Sequence, residues 1–270
     1  MRTTMARAVL AAAALLTVAG LARPAERPAA SRWTSSPVVI DGLGTEWAGA
    51  ERTSIAEPPV DIAFRNDRRN LYILFEFREP IALGTIVSTG MSVYRVSPES
   101  GKRLGGTRLL VRTVSADRFV DLLERQGRRL SERDKIEIRM RSFYPVFEAL
   151  AISGKGKVLA EPVLPPGEEP PGFKVAAKDG VTTYEIRLPF GSWATRSDAP
   201  GSAAGEDLSL EFEWGGFVTA DESWMINGDQ GGDLLVAIFP NISPGTLLRT
   251  DPRYKKHTIR LDVKLAAASS

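Results

Sequence analysis

The residues best suited to chemistry stand in one polar stretch, residues 221–233 (DESWMINGDQGGD). Trp224 lies there among acids, amides and glycines. An indole face packs against the C–H surface of a sugar ring, while groups such as Asn227 and Asp229 hydrogen-bond to its hydroxyls. The stretch therefore predicts a carbohydrate contact at Trp224, Asn227 and Asp229. The alternative is a loop tryptophan folded back onto the core.

The same stretch offers oxygen ligands for a hard cation at Asp221, Asp229 and Asp233. Calcium prefers such carboxylates, so it is the one cofactor that these residues suggest. Their spacing does not match a calcium-binding helix-loop-helix, and Asp and Gly also form turns without a metal. The sequence leaves both readings open.

Motifs of catalysis are sparse. His257 is the only histidine, so a site that needs two histidines is excluded, and we expect this residue at the surface beside Lys255 and Lys256. The Gly-x-Ser-x-Gly, P-loop and His-Glu-x-x-His patterns do not occur. A haem would need His257, a methionine such as Met91 or Met225, or a lysine as its axial ligand, but nothing selects these residues over core packing. A carboxylate pair of the glycosidase kind stays open because the chain has 33 acids. We expect a protein that is not an enzyme.

The beginning of the chain has the pattern of a secretory signal peptide. Arg2 and Arg7 precede the apolar run 8–21, which ends in small residues. We therefore expect residues 1–22 to be removed on export to a bacterial periplasm or the cell exterior, with an uncleaved anchor as the alternative. The absence of cysteine excludes disulfides and thiolate metal sites.

Charge argues against a nucleic-acid partner. Without the leader the chain has 33 basic residues against 33 acidic ones, so it lacks the net basic field of such proteins. No segment after the leader is apolar enough to span a membrane. The expected partners are therefore a glycan or an envelope protein.

The elements that must position these residues are strands. Alternation of apolar and polar side chains along the chain predicts an all-β fold, an antiparallel β-sandwich resembling a jelly roll. The predicted strands are 38–40, 60–64, 71–77, 86–96, 107–114, 136–140, 146–152, 182–188, 208–214, 234–239 and 257–265. In 71–77 alternate residues from Leu71 to Phe77 share one face, and in 208–214 Trp214 continues the apolar face of Phe212, so we expect Trp214 in the core. One short helix is predicted over 116–126, with Ser115 as its cap and Gly127 after its end. Residues 23–36 read as a flexible lead, 37–265 as one domain and 266–270 as a tail. Two Pro- or Gly-rich stretches, 161–172 and 197–206, read as loops.

Three segments carry a family resemblance: Val39–Gly42 (VIDG) followed by Glu46-Trp47, Asn70–Phe75 (NLYILF) after Asp61–Phe64 (DIAF), and Tyr184–Phe190 (YEIRLPF). Their order resembles the carbohydrate-binding module family 9-like, or DOMON-like, β-sandwiches. The resemblance implies the sandwich fold, and in some members a sugar ligand, a structural calcium or a haem. Read from the residues alone, Asp41-Gly42 suits a turn and Trp47 a packed anchor.

The sequence thus favours an exported, non-catalytic module that binds carbohydrate. The alternative is a structural or interaction domain of the cell envelope without a small ligand. Under that alternative, the 161–172 loop and the helix over 116–126 would be its contact surfaces.

Overall fold

A computed structural model describes residues 28–78, 85–86, 89–125, 127–159, 169–178, 181–191, 207–216 and 255–268. The strands within these ranges are β1 (Ala29–Trp33), β2 (Arg52–Ile55), β3 (Val60–Asn66), β4 (Asn70–Phe77), β5 (Met91–Val96), β6 (Arg103–Ser115), β7 (Phe143–Ser153), β8 (Gly172–Lys178), β9 (Val181–Pro189), β10 (Asp207–Trp214) and β11 (His257–Lys264). The helices are α1 (Ala116–Arg125) and α2 (Glu132–Arg139), with a 3-10 turn at Thr45–Trp47.

The strands form two packed layers that share β1. The strand order is β7-β6-β5-β10-β11-β1-β3-β4-β9-β8, and β2 pairs with β3 beside this path. All pairings are antiparallel except those of β1, which runs parallel to both β11 and β3. Phe147 of β7 meets Phe173 of β8 with ring centroids 5.2 Å apart, so the sheet nearly closes on itself. The predicted all-β, sandwich-like fold is confirmed.

The main core lies between the inner faces of the two layers. Alternate residues along each strand point inward, as the period of two requires. Phe75 of β4 contacts Phe212 of β10 edge to face at 5.1 Å, which joins one layer to the other. Both side chains are fully buried. This contact shows that the alternation read from the sequence identified the inward faces of β4 and β10 correctly.

A second, smaller core covers the outer face of β3 and β4. Ala63, Tyr72 and Leu74 point away from the main core, yet they are buried. The segment 37–50 lies over them and contributes Val38 and Trp47. The prediction of a strand over 38–40 was therefore wrong: these residues pack as irregular chain against the sheet.

The helices agree with the sequence in one case and not in the other. The predicted helix is α1, and its Val120 and Leu123 are buried. A strand was predicted at 136–140, but these residues belong to α2 and its end. The Ser131 side chain accepts a hydrogen bond from the Asp134 amide, and the Asp134 carboxylate accepts one from the Ser131 amide. This capping box starts a helix that the alternation of apolar residues did not indicate.

The lead of the chain also differs from its prediction. Residues 29–33, expected within a flexible lead, form β1 at the junction of the two layers. Asn66 fixes this junction, because its side chain bonds to Ser31 and to both backbone groups of Ala266. Strands β2 and β8 were also missed. The strand predicted over 86–96 begins only at Met91, and the strand predicted over 234–239 lies outside the described residues. The part of the chain that the structure describes contains no helix long and apolar enough to cross a membrane.

Candidate functional site

The predicted carbohydrate and metal residues lie outside the described residues; they are Trp224, Asn227, Asp221, Asp229 and Asp233. The structure does show where their segment, residues 217–254, is attached. This segment begins after the end of β10 and ends before the start of β11. Trp214 and His257 are register partners at this point, so the two attachment points are neighbours.

This end of the sandwich is well packed. Trp214 is buried, as predicted, and its ring meets Phe77 edge to face at 6.3 Å. His257 was expected at the surface, but it is partly buried and stacks on Trp214 at 5.3 Å. Burial and the positive charge of Lys255 lower the pKa of His257 below its usual value of 6.5. The imidazole is therefore neutral at pH 7, which suits its stacking on an indole.

The chain leaves β10 through Gly215 in a left-handed conformation, with φ of 73°. A Cβ atom at this position would lie 2.1 Å from the carbonyl oxygen of Lys255, so only glycine fits. The Gly215 amide donates to the hydroxyl of Thr89 at 2.9 Å. These contacts hold both attachment points of the 217–254 segment in fixed positions.

A buried carboxylate brings together two of the three motifs that carried the family resemblance. Glu185 of β9 lies on the outer face of its sheet and is fully buried under the 37–50 segment. One of its oxygens accepts from the amides of Asp41 and Gly42, at 3.1 and 2.7 Å. The other accepts from the Gly44 amide at 3.1 Å and the Trp47 indole N–H at 2.8 Å. The reading of Trp47 as a packed anchor agrees with this geometry.

Three carboxylates meet at this place, since oxygens of Asp41, Glu46 and Glu185 lie within 4.8 Å of one another. Burial raises the pKa of Glu185; the nearby charge of Asp41 also raises it, and the hydrogen bonds from Gly42 and Trp47 oppose the rise. Four N–H donors already use the acceptor positions of the Glu185 carboxylate. We therefore assign Glu185 a structural role, as the group that fastens the 37–50 segment to the sheet.

Sequence reasoning missed Glu185 for a clear reason. Its neighbours Tyr184 and Ile186 point into the main core, so alternation places Glu185 on a face that would normally be in water. The signal that could have found it is the apolar side chains on the same outer face of β4, namely Tyr72 and Leu74. They show that something covers this side of the sheet.

A second charged cluster lies on the outer face of β10. Glu211 is 6% exposed and accepts from Arg103 at 2.7 Å and from Arg260 at 2.7 Å. Burial alone would raise the pKa of Glu211, but the hydrogen bonds and charges of the two arginines outweigh it and lower the pKa. A general acid of the glycosidase kind needs the opposite shift. Glu211 and its neighbour Glu213 are therefore a structural ion-pair cluster.

A groove of about 500 Å³ opens where β1 ends. It is lined by residues from β1, from the connection to β2 and from the chain after β11: Ala30, Ser31, Arg32, Trp33, Gly49, Glu51, Ala266 and Ala267. Sequence reasoning missed it because its parts come from three distant places in the chain, and Trp33 was assigned to the lead.

Comparison with known proteins gives two similar solved structures. They are a carbohydrate binding module family 9 (CBM9) from Caldicellulosiruptor kristjanssonii in complex with glucose and the same module in complex with cellotriose. Each is 11% identical to this chain, matches 89% of it, and has a TM-score of 0.39. The match covers 96% of the chain in the glucose complex and 94% of the chain in the cellotriose complex. No family model and no curated protein sequence matches the chain. The family that the sequence motifs resemble is thus also the family of these two structures.

Proposed function

We propose that this protein is an exported, non-catalytic module that binds glycans through the segment 217–254. Trp224 stacks on a sugar ring, and Asn227 and Asp229 hydrogen-bond to its hydroxyls. Asp221, Asp229 and Asp233 hold a calcium ion that orders the contact. Residues 1–22 direct the chain out of the cytoplasm.

The observation that carries this proposal is the length of one connection. β10 and β11 are antiparallel neighbours, and a turn of about two to five residues is enough to join such strands. This chain instead places residues 217–254 between them, on attachment points fixed by Trp214, Gly215 and His257. Connections longer than about 15 residues without secondary structure of their own are uncommon in compact domains, and they are usually either functional or disordered segments. This one contains the tryptophan whose surroundings suit a sugar.

The test is calorimetric titration of the purified protein with glucose, cellotriose and a panel of soluble plant and bacterial oligosaccharides. The Trp224→Ala variant should bind at least about tenfold more weakly, a loss of about 1.4 kcal/mol. Trp224→Phe keeps a ring and should retain most of the affinity. Calcium should strengthen binding by the wild type, and less so by Asp233→Asn. If wild type and Trp224→Ala bind equally, or no sugar binds to the folded protein, the proposed site is wrong.

A second candidate function is an interaction domain of the cell envelope. It is favoured by apolar side chains at the surface near α2. Ile136 is 63% exposed and Met140, one turn later, is 81% exposed; Phe143, three residues further along the chain, is 42% exposed. Such residues at i and i+4 form a continuous apolar strip. Cross-linking that captures an envelope protein with the wild type, but not with Ile136→Lys, would support this candidate.

A further inference from the structure

The helix α2 contributes no side chain to either core, and none of its residues is buried. Lys135 and Arg139 form ion pairs with acids of α1, at 3.0 and 2.8 Å. The hydroxyl of Tyr144 donates to the carbonyl oxygen of Ile138 at 2.7 Å. The contacts of Lys135 and Arg139, one turn apart, identify the face of α2 that is turned toward α1.

The opposite face of α2 is apolar at two positions and open to solvent. Ile136 is 63% exposed and Met140 is 81% exposed. The Met140 amide donates to the Ile136 carbonyl oxygen at 3.2 Å, so the two residues are one helical turn apart and share a face. Arg133, one turn before Ile136, and Glu137 belong to the same face, and both are exposed. We call Arg133, Ile136, Glu137 and Met140 the α2 outer face.

The fold itself gives no reason for the two apolar side chains. A side chain that stays more than half exposed removes little apolar surface from water, so Ile136 and Met140 add little to stability. Single exposed apolar residues are common at protein surfaces. Two on one turn of a helix that buries nothing else indicate a contact outside the chain.

The helical hairpin 116–142 has an excess of positive charge. In the part of this hairpin that the structure describes, six exposed arginines form no ion pair: Arg118, Arg125, Arg128, Arg129, Arg133 and Arg141. Only two of its acids, Asp121 and Glu137, lack a partner there. The hydrogen bonds of Ser131 lower the pKa of Asp134, and the charges of Arg133 and Arg128 add to this effect. Both arginines therefore lie near the start of α2.

The composition of the outer face distinguishes between two kinds of partner. The centre of a protein interface is depleted of charged residues and needs a large complementary area. Here Arg133 and Glu137 stand beside only two apolar side chains, which protrude from the helix. A fluid lipid surface accepts protruding side chains without shape complementarity, and its anionic headgroups supply the negative charge that the arginines lack.

We propose that the α2 outer face docks on an anionic lipid surface. Ile136 and Met140 enter the boundary between headgroups and acyl chains, and Arg133 and Arg141 donate to headgroup phosphates. Two inserted side chains bind a bilayer weakly, so attachment needs the charges as a second contribution. The inference rests on the second candidate function, because it names what the same apolar surface contacts, and it does not depend on residues 217–254.

The test is cosedimentation with lipid vesicles of residues 23–270, because the apolar run 8–21 would itself enter a bilayer. Vesicles of phosphatidylglycerol and phosphatidylcholine in equal parts should bind at least about tenfold more tightly than vesicles of phosphatidylcholine alone. A tenfold rise in salt should weaken this binding, because it screens the arginines. Equal binding to both vesicles, or no binding to the anionic ones, would overturn the proposal.

Apolar variants then assign the binding to α2. The double variant Ile136→Ser, Met140→Ser should bind anionic vesicles about tenfold more weakly. It should melt like the wild type, since both side chains are exposed, whereas Ile136→Leu should keep full binding. Leu104→Ser is the matched control, because Leu104 is 55% exposed near the start of β6, the end of that strand remote from α1. If the double variant binds like the wild type, the assignment to α2 is wrong.

Charge variants test the second contribution. Arg133→Gln and Arg141→Gln should each weaken binding to anionic vesicles about fivefold and reduce its salt dependence. Arg68→Gln removes an exposed arginine in the turn between β3 and β4 and should bind like the wild type. Unchanged binding and salt dependence in both outer-face variants would contradict the role of the charges.

Other occupants of this face would give different results. A dimer seen by analytical ultracentrifugation that Ile136→Ser dissociates would show that a second copy covers the face. An envelope protein cross-linked through Ile136, without vesicle binding, would show that a protein does. Either result would overturn the lipid proposal. The glycan proposal fails separately, through Trp224→Ala in the sugar titrations.

Discussion

Replacing Glu185 by alanine should cost this protein a large part of its stability. The change removes the acceptor for four N–H groups while leaving those groups in place. Asp41 is exposed and Gly44 is only partly buried, so water can satisfy their amides. The Gly42 amide and the Trp47 indole N–H are buried and would lose their partner.

The expected magnitude follows from these two buried donors. Each buried polar group without a partner costs about 1–3 kcal/mol, which gives about 2–6 kcal/mol for the pair. The variant also relieves a cost, because burial raises the pKa of Glu185 and so disfavours its ionised form in the folded state. We therefore expect a net loss of about 2–4 kcal/mol in the free energy of unfolding at pH 7.

The assay is equilibrium unfolding in urea followed by circular dichroism, with Glu99→Gln in the β5–β6 turn as the matched exposed control. The midpoint should fall for Glu185→Ala at unchanged slope. Glu185→Gln should also be destabilised, because its amide nitrogen would face N–H donors. Trp47→Phe removes one donor, so its effect should be smaller in the Glu185→Ala background than in the wild type. A loss below about 0.5 kcal/mol for Glu185→Ala would refute this account of the 37–50 segment.

Two further predictions concern sheet stability. Because Arg103 and Arg260 lower the pKa of Glu211, its contribution to stability is present above its ordinary pKa of 4.5 and is lost as pH falls through the folded value. Glu211→Gln should therefore reduce stability at pH 7 by about 1–3 kcal/mol and flatten the pH profile in the acid range, as measured by melts from pH 3 to 7. Gly106→Ala would place a Cβ atom 2.1 Å from the carbonyl oxygen of Val93 in β5, so it should lower the free energy of unfolding by more than about 3 kcal/mol. Gly127 has a φ of 83° and no atom within 4 Å of a Cβ at that position, so Gly127→Ala should cost only about 1 kcal/mol. Urea unfolding of both variants measures the difference.

The main core was largely readable from the sequence. Strands such as β4, β10 and β11 alternate so regularly that one face can only be the buried one, because successive side chains leave a strand on opposite sides. For the same reason Trp214 was correctly placed in the core. Helix α1 was readable from its apolar spacing and its flanking Ser115 and Gly127.

The alternation of apolar residues failed where another local signal or a distant segment decided the conformation. Alternation at 136–140 indicated a strand, but the capping box at Ser131 starts a helix there. The polar composition of residues 23–36 indicated a flexible lead. Pairing with β3 and β11 instead makes 29–33 a strand, because two open strand edges supply its hydrogen bonds.

The sequence by itself determined the sandwich and the inward faces of its regular strands. These depend on the period of two along each strand, which is a local property of the chain. Only the tertiary structure decided that Glu185 is buried and that β1, the connection to β2 and the chain after β11 together line a groove. Those facts depend on which segments cover the outer face of one layer and meet at its end, and side-chain spacing along the chain contains no information on such distant contacts.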